Sequence, residues 1–270
     1  MYALTDIGAN LADGSFSADL DAVLSRATAA GVARMVVTGS SAPSNRRALE
    51  LAREHPRTLR ATAGCHPHHA AGYDDNLDEQ IRRLAQDPLI VAVGECGLDY
   101  YRDLAPRDAQ ANAFARQLAI AADAGKPVFL HQRNAIDDFV AQLAPWRDRL
   151  PQAVAHCFTD GPGELAKLRE LDLYIGVTGW ICDERRGGAL RSAVAGIPAD
   201  RLLIETDAPY LLPRTLKPRP RTRRNEPQWL GEVLRVLAEC RGDPPEELAA
   251  VTHRNAARFF DWPLSADAMA

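Results

Sequence analysis

The chain has 270 residues, of which 46% are hydrophobic and 25% charged, and its net charge is −4. These values fit an ordinary globular protein and exclude a disordered chain, a fibrous repeat and a globally basic nucleic-acid binder, so any polyanion site has to be a local patch. No apolar run approaches the ~20 residues of a membrane span, residues 1–6 lack the basic and apolar regions of a secretory signal, and five cysteines without paired spacing read as free thiols, so a cytoplasmic protein is expected.

Apolar runs of strand length alternate with segments of helical spacing, the pattern of a parallel sheet covered by helices. The first predicted strand, about residues 2–7, leads into Gly8-Ala9-Asn10 and a helix with Leu20, Val23, Leu24 and Ala27 on one face, closed by Gly31. The second, 33–38, ends at Gly39-Ser40, and the third, 59–63, ends at Gly64-Cys65-His66-Pro67-His68-His69. Strand four, from residue 91, finishes in Gly94-Glu95-Cys96-Gly97, a carboxylate between glycines that let the backbone turn tightly beside it. The helix from Arg107 carries Ala111, Phe114, Leu118 and Ala122 and stops at Gly125. Strand five, 127–130, delivers His131, and strand six, 153–155, delivers His156. Strand seven, 173–177, ends in Thr178-Gly179-Trp180, and strand eight, 201–204, ends in Glu205-Thr206-Asp207. A loop over 211–226, rich in proline and arginine, precedes two helices, the first with Asn225 as N-cap and Pro227 near its start, the second capped by Asp243. Eight strands with helices between them predict a closed (β/α)8 TIM-type barrel over 1–263, with a short polar tail at 264–270.

In such barrels catalytic residues sit at the C-terminal ends of strands, and the chain's acids and imidazoles gather there. Glu95, His131, His156 and Asp207 make an oxygen and nitrogen donor set for a divalent metal, Mg²⁺ first, with Mn²⁺ and Zn²⁺ as alternatives. A carboxylate on the central strand can bridge two ions ~3.5–4 Å apart for in-line displacement at phosphorus, which assigns Glu95 the bridge and Asp207 the proton. His68 is placed to contact a phosphate or orient the attacking water. Arg214, Lys217, Arg219, Arg221, Arg223 and Arg224 put six cations in eleven residues without an acid, a composition suited to phosphate, with Tyr100, Tyr101 and Trp180 as stacking surfaces. Cys65, Cys96 and Cys157 adjoin the expected ligands but, by strand alternation, should point into the core.

These motifs together resemble the TatD-type metal-dependent deoxyribonucleases. The likeness rests on Asp6-Ile7-Gly8-Ala9-Asn10-Leu11, Gly64-Cys65-His66-Pro67-His68, Gly94-Glu95-Cys96-Gly97-Leu98-Asp99, Pro127-Val128-Phe129-Leu130-His131, His156-Cys157-Phe158-Thr159 and Glu205-Thr206-Asp207-Ala208-Pro209. Arg224-Asn225-Glu226-Pro227 and Thr252-His253-Arg254-Asn255 extend it, and the wording from Trp180 to Gly187 is similar to the branch that gives the family its name. The resemblance implies an amidohydrolase-like barrel acting as a 3′-to-5′ exonuclease on single-stranded DNA or RNA, with a place in DNA repair. It also implies Glu95, His131, His156 and Asp207 as metal ligands. Substrate contacts are expected at Asn10, His66, His68, Arg214, Arg223 and Arg224, in a chain working as a monomer. One motif departs: most relatives end strand one in His-x-His, and here Gly8 and Asn10 stand in those places. One ion should therefore depend on Glu95 and little else, and be weakly held. The competing readings are a hydrolase of a small amide, ester or lactone on the same barrel, and a nucleic-acid-binding barrel without catalysis.

Overall fold

The computed structural model describes residues 2–264, so all but the first residue of the expected tail lies outside the described residues. The elements run β1 (Leu4–Ala9), α1 (Leu20–Ala29), β2 (Val32–Val37), α2 (Ala42–Glu54), β3 (Leu59–Ala63), α3 (Asp75–Leu84), β4 (Ile90–Asp99), α4 (Arg107–Ala124), β5 (Val128–Arg133), α5 (Ile136–Leu143), β6 (Ala153–Ala155), α6 (Pro162–Glu170), β7 (Tyr174–Val177), α7 (Gly188–Ala193), β8 (Leu202–Ile204), α8 (Leu230–Arg241) and α9 (Pro245–Phe259). The strands hydrogen-bond as one sheet in the order β1 to β8, and this strand order with its alternating helices is the (β/α)8 class expected from the sequence. By contacts the described residues fall into two compact units: one takes in those up to Val36, Cys157–Leu165 and those from Ile175 on, and the other Val37–His156 with Ala166–Tyr174.

The second unit is built on β3 to β6, and its centre is β4, ten residues long and buried throughout. Gly94 and Gly97 adopt φ of 135° and 142°, and the register against β5 slips between Val93, paired with Val128, and Cys96, paired with Leu130. A Cβ on Gly94 would lie 2.1 Å from the Phe129 carbonyl oxygen, and one on Gly97 1.9 Å from that of His131. Only glycine fits at either place, because β5 occupies the space a side chain would need. Glu95 therefore rides an irregularity inside a strand that runs on to Asp99; it does not end the strand, as the glycines had suggested. On the flanks, α2 opens on a reciprocal capping box between Ser41 and Ser44, and α4 closes on Gly125 in the left-handed region, as its sequence predicts.

In the first unit β1 and β8 run side by side: the Asp207 N–H donates to the Gly8 carbonyl at 2.8 Å and the Asn10 N–H to that of Ala208 at 2.7 Å. The buried Asp6 carboxylate accepts from the Thr206 N–H at 2.9 Å, the Thr206 hydroxyl at 2.5 Å and the Gly8 N–H at 3.2 Å. Burial outweighs these donors and pushes its carboxyl up to about 7. The helix starts differ from expectation. A 3₁₀ turn, Pro227–Trp229, with Glu226 at its N-cap, precedes α8, and Asn225 instead donates its amide to the Thr206 carbonyl at 2.9 Å. Pro244 stands at the N-cap of α9, and Asp243 accepts from Arg241 at 2.6 Å. In each case a proline fixes φ where the turn begins, so no side-chain cap is needed.

His253 of α9 is buried, with Nδ1 2.7 Å from the Thr5 hydroxyl, and burial lowers its pKa from 6.5 to about 4. Between those values the unfolded chain takes up a proton that the folded chain refuses, so His253 withdraws stability as pH falls through that window. The unfolding free energy of the wild type, from urea titrations, should therefore drop between about pH 7 and pH 5 by an amount on the order of 2 kcal/mol larger than in His253→Gln. Parallel pH profiles in the two proteins would contradict this assignment.

Candidate active site

The second unit brings three imidazoles onto one carboxylate oxygen. Glu95 Oε1 lies 2.8 Å from His156 Nε2, 3.0 Å from His131 Nδ1 and 3.2 Å from His66 Nε2. His66 follows β3, Glu95 sits on the irregularity of β4, His131 lies in β5 and His156 directly follows β6. Burial alone would raise the Glu95 carboxyl, but the rings of His66, His156 and His131 outweigh it and hold it well below the usual carboxylate range. One ligand atom each from His66, Glu95 and His131 lies within 4.8 Å of the others. A buried carboxylate among imidazoles suits a divalent ion, and no thiolate is required. Burial pushes the Cys65 thiol up to about 12 and raises Cys96 as well, so neither is poised as a thiolate.

The rings are not equivalent. The His68 backbone N–H donates to His66 Nδ1 at 3.0 Å, so a neutral His66 carries its proton on Nε2, facing Glu95. Burial lowers its pKa to about 4 and keeps the ring neutral. His66 thus reaches the site as a hydrogen-bond donor. His131 is held the other way: its Nε2 faces Asp99 Oδ2 at 3.2 Å, which leaves Nδ1 toward Glu95.

Asp99 is a site residue that the sequence did not single out. Its Oδ2 is 2.8 Å from His68 Nε2 as well as facing His131, while Oδ1 accepts from the N–H groups of Tyr101 and Arg102. Burial works against its charge, but the bonds from His131 and His68 prevail and keep it ionised. Behind it stands a layer of buried amides. Asn45 bonds both backbone groups of Gly64, at 3.0 and 2.9 Å. On α4, Gln117 accepts from the Cys65 N–H at 2.7 Å and Gln110 from the Asp99 N–H at 2.8 Å. The signal for the two glutamines was available: they interrupt the apolar stripe of Phe114 and Leu118.

In the first unit, Asp207 follows β8 with φ 54°, and its Oδ1 accepts from the Asn10 amide at 2.9 Å. The buried Glu205 accepts from the Cys157 N–H at 2.6 Å. The basic loop divides by environment. Arg224 donates to Asp19 at 2.7 and 2.8 Å and to Glu226 at 2.8 Å, and Arg26 grips the same Glu226, so Arg224 braces the loop against α1. Arg214 and Arg223 are exposed. Of the expected site residues, then, the second unit gathers His66, His68, Glu95, His131 and His156, and the first pairs Asn10 with Asp207.

A model of the family described as TatD related DNase matches residues 5–261. The chain belongs to this family. It is 50% identical over 256 residues to the 3′-5′ ssDNA/RNA exonuclease TatD of Erwinia tasmaniensis, covering 95% of this chain and 99% of that one. A relative of the same description from Enterobacter lignolyticus is 49% identical, over 94% and 98% of the two chains. Among solved structures, the TatD homologue YJJV of Escherichia coli superposes with a TM-score of 0.88 at 31% identity, over 96% and 98%. The TatD-family membership and the imidazole–carboxylate cluster together support a divalent metal. Among the described residues no helix is long and apolar enough to cross a membrane.

Carboxylates that orient a ligating histidine are worth ~10–100-fold in metal affinity, so Asp99→Asn should weaken Mn²⁺ binding by about that factor with the circular dichroism unchanged. Titration calorimetry giving wild-type affinity would remove Asp99 from the site.

Proposed function

We propose that this TatD-family chain is a metal-dependent phosphodiesterase that removes nucleotides 3′-to-5′ from single-stranded DNA and RNA. The observation carrying the reading is the convergence of His66, His131 and His156 on one ionised oxygen of Glu95. The activity in the names of the half-identical relatives supports the same chemistry.

In this reading Glu95, His131, His156 and Asp207 hold the ion. Mg²⁺ is the proposed ion, and a nitrogen-rich donor set also admits Mn²⁺ and Zn²⁺. The chemistry such an ion supplies is Lewis-acid polarisation of a phosphoryl oxygen and acidification of a water. The chain's own groups do the rest. Asp99 holds His131 with Nδ1 directed at the ligand cluster. His66 spends its Nε2–H on Glu95, and His68, its ring centroid 4.1 Å away, has Nε2 on Asp99, so His68 Nδ1 is the nitrogen that can address a non-bridging phosphate oxygen. Asn10 fixes Asp207 for the proton released in attack, and Arg214 and Arg223 offer exposed guanidinium groups to neighbouring phosphates. Arg224 would have to leave two carboxylates to join them, and its contribution is to hold the loop. We place the enzyme in the cytoplasm, working as a monomer on strands exposed in DNA repair.

End-labelled single strands should shorten from the 3′ end with Mg²⁺ or Mn²⁺ and stop shortening on chelation. Glu95→Gln should lower kcat by about 10²–10³-fold, in line with loss of a group that positions charge in the transition state. Undiminished cleavage by that variant would sink the proposal. Because Gly8 and Asn10 offer no imidazole, Mn²⁺ titration of the free enzyme should reveal one tight ion per chain, with a second joining only when substrate is present; two equally tight ions in the free enzyme would contradict this.

A further inference from the structure

Within the first unit, the loop after β8, the turn after β7 and α8 enclose a cavity of about 890 Å³. Six cations line it: Arg185, Arg191, Arg214, Lys217, Arg219 and Arg235. Three acids face them, Glu184, Glu232 and Glu239, but Arg235 bonds to both Glu232, at 2.7 Å, and Glu239. Arg191 gives its Nε–H to the Ile181 carbonyl at 2.8 Å. Among the described residues Arg185, Arg214, Lys217 and Arg219 are left with no ion pair, opposite the single remaining acid, Glu184. Elsewhere Arg26, Arg53, Arg82, Arg116 and Arg224 each pair with an acid. It is also local, on a chain of net charge −4. Four like charges around one cavity repel one another unless an anion enters.

We propose that this cavity binds the phosphate backbone of a single-stranded polynucleotide along a stretch that is not being cut. The volume exceeds what one phosphate fills, and the cations sit on two segments distant in sequence, so the matching ligand is an extended chain of phosphates. Pro218 and Pro220 alternate with Lys217 and Arg219, which limits the loop's freedom and lowers the entropy lost when it meets a strand. Among the described residues no aromatic ring lines the cavity, so it reads phosphate and sugar without stacking a base, and should tolerate any sequence. The site extends the basic loop beyond the residues that the sequence singled out, because Arg185 and Arg191 come from the other side of β8. The identity of the polyanion rests on the nuclease reading; the existence of an anion site does not.

The test uses the full chain and Arg185→Glu/Lys217→Glu/Arg219→Glu, which reverses three exposed charges. Anisotropy of a fluorescent oligothymidylate is measured in chelator, where no cleavage occurs. With four phosphates engaged, log affinity should fall against log salt with a slope near about −3 for the wild type. The variant should bind at least about tenfold more weakly and lose about 2 of that slope. In turnover, the ratio of kcat/KM on a long strand to that on a dinucleotide should fall about tenfold, since only the long strand reaches the cavity. Equal binding by the two proteins, or an unchanged ratio, would overturn the proposal. If the wild type cleaves no strand with any divalent ion while the anisotropy difference persists, the nuclease reading fails and the cavity proposal stands.

Discussion

The site depends on one electrostatic requirement: the buried Glu95 carboxylate has to stay charged. Removing such a group from water costs several kcal/mol, and only partners at hydrogen-bond distance can offset that. Three imidazole nitrogens do so here, one from within β5 and two from the segments that follow β3 and β6. Each therefore has to be placed by backbone and not by its own reach. Much of the second unit follows from that demand. Gly94 and Gly97 let β4 carry Glu95 past β5, Asn45 ties down Gly64 ahead of His66, and Asp99 orients two of the histidines.

Much of this was legible from the residues. Hydrophobic alternation gave the eight strands and the (β/α)8 class, because the period of an apolar run is a local property. Glu95, His131, His156 and Asp207 stood out because polar groups at the ends of apolar runs have few structural reasons to be there. Asp99 did not, since its partners lie at positions 68 and 131 and nothing near it in sequence announces them. The end of β4 was misjudged for a related reason: paired glycines suit a turn and a bulge equally, and only the carbonyls of β5 decide between them. The N-caps fell to the same ambiguity, for Asn225 found a better acceptor in the Thr206 carbonyl.

The basic loop teaches a separate lesson about charge. Read as a string, its six cations look alike. In the fold they divide according to where the acids are: Arg224 meets Asp19 and Glu226, while Arg214, Lys217 and Arg219 line a cavity whose acids are mostly spoken for. A guanidinium between two carboxylates is a fastening, and one without an acid is an invitation to an anion. Composition cannot separate the two, because the separating residues lie 205 positions away in the case of Asp19 or on α8 in the case of Glu232.

Gln110 and Gln117 stand seven residues apart on one helix, about two turns, and through them α4 holds the backbone beside both His66 and Asp99. A rigid rod gripping two points of a frame transmits its own movement to both. When α4 shifts thermally, the end of β3 and the end of β4 travel together, and the spacing between them is preserved to first order. The two groups that flank the ligands, His66 and Asp99, are in this sense set by a single part, so a shift of α4 reaches them as a common displacement.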